Sequence, residues 1–193
     1  MAVRGGVATR LAWAVSTVLH PFVSSIVLVG AAAWPRASRA QASSAVLAVL
    51  AAIVPVAILM VVQVRRGRWE NADASNVAER PLLYAVALAG LSAVVGWLIV
   101  RDPASFFLRG ASMVLAMLVV AALATRWVKV SLHVAFVALA ATVLTLSGST
   151  AGYALIPAVP AVAWSRLVLA RHSVAELMCG AALGLVAGAL GVA

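Results

Sequence analysis

The sequence predicts an all-α fold, a polytopic transmembrane helical bundle with six to seven membrane segments. Three observations predict it. Of 193 residues, 65% are hydrophobic and only 10% are charged, and the mean hydropathy is +1.13. The apolar residues fall in long continuous runs, as membrane helices require, not in the alternation of a transmembrane barrel. The polar residues are gathered into a few short stretches between those runs. The length suits a single integral membrane domain, 1–193. One cysteine, Cys179, excludes an internal disulfide and a cysteine-based metal site, and its apolar context predicts a buried, inert thiol. The net charge of +9 matches basic loops facing anionic headgroups, so the expected partner is the bilayer and not nucleic acid.

Seven apolar segments follow in order. The first covers about 11–33, after Arg4 and Arg10, and His20-Pro21 interrupts it. Ala31-Ala32-Ala33 could pass for a signal-peptide cleavage site, but the run is long, so a retained helix is expected. The second covers about 42–64. The longest polar stretch, 65–80, comes next, and Pro81 opens the third segment, 81–100, where a missing N–H costs least. Arg101-Asp102-Pro103 turns the chain into the fourth, 105–125. Arg126-Trp127-Val128-Lys129 precedes the fifth, 130–146, and residues 147–152 form a turn. The sixth, 153–164, is short and holds Pro157 and Pro160, so it is read as kinked or not fully crossing. The last covers about 172–190. Its Gly180, Gly184 and Gly188 have the spacing that lets membrane helices pack closely. Trp13, Trp34, Trp69, Trp97, Trp127 and Trp164 lie mostly near segment ends, as interfacial anchors do.

Two crossings separate the loop ending at Arg80 from residues 126–133, and two more separate these from residues 165–172. An even count returns the chain to the same face. Asp73, Arg80, Lys129, Ser131, His133, Arg166, His172 and Glu176 are therefore expected at one membrane surface. That face also carries Arg4, Arg10, Arg65, Arg66, Arg68, Arg126 and Arg171, against Arg36, Arg39, Arg101 and Arg109 opposite. Positive-inside bias then makes it cytoplasmic, in an inner or plasma membrane.

Ionisable groups in such a chain mark candidate function. A phosphate ester offers several anionic acceptor oxygens, which arginine meets with a planar fork and lysine with a point charge. Arg80, Lys129 and Arg166 can form such a cradle, with Ser131 assisting. His172 and Glu176 are i, i+4 and share a helix face. A carboxylate on one imidazole nitrogen fixes the tautomer and readies the other for attack. His133 can protonate the departing alkoxide. The set suffices for metal-free phosphoryl transfer through a phosphohistidine, so no cofactor and no metal are expected. Asp73 and Asn76 are possible site residues, or loop and cap residues. His20 reads as a packing position beside a proline kink, Arg65, Arg66 and Arg68 as an anchor, and Arg171 as snorkelling to headgroups.

The run Ser165-Arg166-x5-His172-x3-Glu176 resembles the third signature of the type 2 phosphatidic acid phosphatase (PAP2) family, serine-arginine-x5-histidine-x3-aspartate, with glutamate for aspartate. Val130-Ser131-Leu132-His133 resembles the second, proline-serine-glycine-histidine, without its proline and glycine. Asp73-x6-Arg80-Pro81 resembles the first, lysine-x6-arginine-proline, with aspartate for lysine. The resemblance covers about 71–190. It implies that His172 is the nucleophile, Glu176 its orienting partner and His133 the leaving-group acid. Arg80, Arg166 and Ser131 would bind phosphate, and Lys129 would replace the missing first cation. The implied function is hydrolysis of a lipid phosphate monoester or pyrophosphate, phospholipid or polyprenyl. Two alternatives stand beside it. One is a UbiA-type prenyl transferase, suggested by Asn71 and Asp73 in a polar loop, although no second aspartate-rich loop exists. The other is a non-catalytic lipid-binding protein. The oligomeric state is left open.

Overall fold

The computed structural model describes residues 6–33, 37–102 and 105–192. Arg4 and Arg36, two of the expected topological charges, Trp34, an expected anchor, and Pro103 of the expected turn lie outside the described residues. Among the described residues there are helices and no strands, in agreement with an all-α polytopic bundle. The helices are α1 (Val7–Val18), α2 (Pro21–Ala33), α3 (Arg39–Arg65), a 3-10 turn (Val77–Glu79), α4 (Arg80–Arg101), α5 (Phe106–Ala124), α6 (Leu132–Leu146), α7 (Thr150–Leu155), α8 (Ala158–Val168) and α9 (Val174–Val192).

Five helical stretches are long and apolar enough to cross a membrane: Arg39–Arg65, Val77–Arg101, Phe106–Ala124, Thr150–Val168 and Val174–Val192. α1 and α2 make a sixth if the pair, bent by 45°, is one span. The break has a local cause. Proline at the first position of α2 removes a donor and pushes the preceding His20 away from helical geometry. The sixth segment is longer than expected, because α7 and α8 together make a 19-residue span. Its prolines fall where they do least harm. Pro157 caps α8, and Pro160 lies in its first turn, where N–H groups have no partner within the helix.

Large side chains point outward. Leu47 is 65% exposed, Val100 81%, Leu123 59% and Met178 64%. In water such a surface would be a liability; in lipid it is the solvated face. Trp13, Trp97, Trp127 and Trp164 are exposed as anchors should be. Trp69 is not: it is buried, and its backbone N–H donates to the Gln63 carbonyl near the end of α3, where the chain folds back.

The chain divides into two compact units, 1–31 with 130–193, and 32–129. In the first, α1 packs on α8, and α6 packs on α7, α8 and α9. α6 is only 15 residues long and is buried on nearly every side, from His133 to Leu144. A helix that is apolar all round belongs in a core. α9 meets it through glycine. A Cβ at Gly180 would lie 2.5 Å from the Ser131 carbonyl oxygen, one at Gly184 would collide with the Ala135 carbonyl, and one at Gly188 would come within 2.7 Å of Thr142 Cβ. The partners ascend together, so α6 and α9 run parallel with their N-termini at the same end. Cys179, one position off this stripe, points away from α6 and is exposed, which corrects the expectation of a buried thiol.

In the second unit α4 packs on α3 and α5. Ser38 and Gln41 start α3 with a reciprocal capping box. Arg80 begins α4 with Pro81 next, as the sequence predicts.

Candidate active site

The parallel pairing of α6 and α9 brings two helix starts together. Ser131 caps α6, and its backbone N–H donates to the Glu176 carbonyl in the first turn of α9, at 3.2 Å. Ser131 is fully buried, and its Oγ has no hydrogen-bond partner among the described residues. His133 follows two residues into α6 and is buried.

His172 lies just before α9. Its Nδ1 is 2.9 Å from Glu176 Oε2, and its side chain is only 2% exposed. A carboxylate on Nδ1 holds the proton there and leaves the lone pair on Nε2. The same Glu176 oxygen accepts the Ser173 backbone N–H at 3.1 Å, while Ser173 Oγ accepts the Glu176 N–H at 3.4 Å. Ser173-Val174-Ala175-Glu176 is thus a capping box as well as half of a histidine–carboxylate pair. This accounts for glutamate at the position. Its side chain reaches back one turn to cap the helix and bond the imidazole together.

Arg166, in the last turn of α8, is 1% exposed. Its Nη1 donates to Ser16 Oγ of α1 at 2.8 Å. The short link to α9 is tight: Ala170 is left-handed, with φ 52°, and the Arg171 N–H donates to the Arg166 carbonyl at 2.9 Å. Ser165 turns inward, its Oγ donating to the Val162 carbonyl at 2.7 Å. Arg171, with Thr9, Arg10 and Trp13, lines an open groove, consistent with a headgroup-facing cation.

Sequence reasoning missed three residues here. Ser16 and Ser173 are serines in unremarkable contexts, although Ser173 does stand three before Glu176. His20, which the sequence assigns to packing, is the third. Its ring centroid is 5.0 Å from that of His133, with the planes at 84°.

The second unit holds the other expected residues. Asn71 Oδ1 accepts the Asp73 N–H at 3.1 Å and the Ser75 hydroxyl at 2.9 Å, an Asx turn. Asn76 Oδ1 accepts the Ala78 N–H at 3.0 Å, so Asn76 is a cap. Buried Glu79 accepts the Glu70 and Asn76 N–H groups at 2.9 and 3.3 Å. Lys129 Nζ donates to the Ser75 carbonyl at 3.2 Å and so secures this loop. Arg80 is 3% exposed at the start of α4.

Comparison with family models, curated proteins and solved structures finds no match for this chain. Its function must be read from its own residues. Within the first unit these are an imidazole ordered by a carboxylate, a second imidazole and a buried hydroxyl near the starts of α6 and α9, and a buried guanidinium in the last turn of α8.

Proposed function

We propose that the protein is a membrane lipid phosphatase, a hydrolase of lipid phosphate monoesters or pyrophosphates similar to the type 2 phosphatidic acid phosphatases. The observation that carries this reading is the 2.9 Å contact between His172 Nδ1 and Glu176, in a buried position at the start of α9. An imidazole held in this way is an activated nucleophile.

In the proposed reaction, His172 Nε2 attacks phosphorus and the ester P–O bond breaks. His133 gives its proton to the departing alkoxide oxygen. Water then attacks the phosphohistidine, the P–N bond breaks, and inorganic phosphate leaves. Arg166 and the Ser131 hydroxyl balance the charge of the phosphoryl oxygens, a term that acts most strongly away from water. Arg80 and Lys129 join the cradle on the strength of the sequence motifs. The lipid tail stays in the bilayer, and positive-inside bias puts the reaction on the cytoplasmic side.

The test is phosphate release from a panel of lipid phosphates in detergent micelles, wild type against His172→Ala. Turnover in the wild type, none in a folded His172→Ala, and acid-labile phosphate trapped on the wild type would support the reading. Equal turnover in both proteins, or none in either across the panel, would overturn it.

A further inference from the structure

His20 is poorly explained as packing. It stands at the break between α1 and α2, and its carbonyl accepts the Ser24 N–H at 2.9 Å, which starts α2. Its Nδ1 accepts the backbone N–H of Phe22 at 3.3 Å. With Nδ1 engaged as an acceptor, the neutral ring carries its proton on Nε2. The Phe22 ring lies 4.5 Å away at 67° and bounds the imidazole further. The chain therefore fixes both the rotation and the tautomer of this ring. It then sets the ring edge to face with His133, at 5.0 Å between centroids, with ring nitrogens of the pair within 4.8 Å. A phenylalanine would fill the same space. Only an imidazole can accept the Phe22 N–H on one nitrogen and still present a defined N–H at its other edge, beside His133.

We propose that His20 is a positioning residue for His133, holding the second imidazole aimed at the leaving-group oxygen. The inference rests on the phosphatase reading and adds a residue to it. As the ester P–O bond breaks, its electron pair stays on the alkoxide oxygen, which takes the proton from His133. His133 recovers a proton from the water that cleaves the P–N bond, and that electron pair returns to His172 Nε2. His20 exchanges no atoms in this cycle. It keeps the His133 ring from swinging off line through the edge-to-face contact together with the polar N–H edge, of which phenylalanine supplies only the first and asparagine lacks the ring. The kink at Pro21 acquires a purpose, since it delivers His20 to the start of α6.

The dependence on the leaving group tests this. A long-chain alkyl phosphate expels a basic alkoxide that needs a proton, whereas p-nitrophenyl phosphate expels a phenolate that does not. The full chain in micelles is assayed on both substrates as wild type, His133→Ala, His20→Phe and His20→Asn. His133→Ala should lose alkyl turnover by on the order of 10²-fold and keep most aryl turnover. His20→Phe should show the same selective loss in kcat, about tenfold or more, with KM little changed. Asparagine can still accept the Phe22 N–H and start α2, but it brings no ring to His133, so His20→Asn should also lose alkyl turnover selectively. It also serves where His20→Phe fails to fold. Equal losses on both substrates in His20→Phe with full recovery in His20→Asn would overturn the proposal, leaving His20 a helix-start residue. Unchanged alkyl turnover in His20→Phe would overturn it too. If His133→Ala does not discriminate between the substrates, His133 is not the acid, and the phosphatase assignment of that residue falls first, taking this proposal with it.

Discussion

Arg166 and Ser16, 150 positions apart in the chain, are joined by a 2.8 Å hydrogen bond between a guanidinium and a hydroxyl that are both buried. The bond fastens α1 to the last turn of α8 and fixes the direction of the guanidinium. Ser16→Ala removes the acceptor and leaves a buried charge short of one partner. A hydrogen bond to a charged group is worth about 1.5–3 kcal/mol, so thermal unfolding in detergent should show a loss of that size. In a phosphatase assay KM should rise more than kcat falls. Equal stability of variant and wild type would count against a structural role for the pair.

Glu176 serves both a helix start and a histidine, and two variants separate these tasks. Glu176→Gln keeps an oxygen for the Ser173 N–H but loses the charge beside His172 Nδ1. Stability should change little, while turnover should fall by roughly 10²–10⁴-fold. Ser173→Ala should do the reverse: a stability cost of about 1 kcal/mol with turnover near that of the wild type. Calorimetry beside phosphate release measures both.

The contact of α9 with α6 leaves no room at Gly184. Gly184→Ala drives a methyl into the Ala135 backbone, and overpacking of this kind costs about 1–3 kcal/mol. Gly96→Ala in α4 is the control, since nothing lies within 4 Å of its Cβ. It should be neutral or slightly stabilising, because alanine is the better helix former. A thermal shift of equal sign in both variants would refute the packing argument.

Glu79 organises the loop of the second unit by accepting two backbone N–H groups. Glu79→Ala should cost about 1–2 kcal/mol and raise hydrogen exchange at the Glu70 and Asn76 amides. Exchange unchanged at both amides would show that the loop is held by other means.

Much of this was legible in the sequence. Apolar runs of membrane length are a strong signal, and they located α3, α4, α5 and α9 well. The glycine spacing gave the α9 interface in advance. The i, i+4 spacing of His172 and Glu176 foretold their contact, although His172 stands just before α9 and Glu176 meets it by reaching back over the helix start. Tertiary placement was harder. Nothing local distinguishes Ser16 from any serine in an apolar helix, since its meaning comes from Arg166, far along the chain. His20 was underrated for the same reason: without a charged neighbour in sequence, its partner on α6 was invisible. Cys179 is exposed and Trp69 buried, against expectation, because burial depends on rotation about a helix and on where a chain folds back. The Asp73 backbone N–H and the Lys129 ammonium also make bonds that shape and secure a loop, which residue type alone does not foretell.

The glycine contact between α6 and α9 has a mechanical consequence. Where two backbones touch directly, there are no long side chains between them to lean or slide. Shifting α9 along α6 by even one residue would bring a side chain into a groove that accepts only hydrogen. The offset between the start of α6 and the start of α9 is therefore set like a ruler. Any flexing within this unit must come from another joint, such as the bend between α1 and α2 or the short link through Ala170 between α8 and α9.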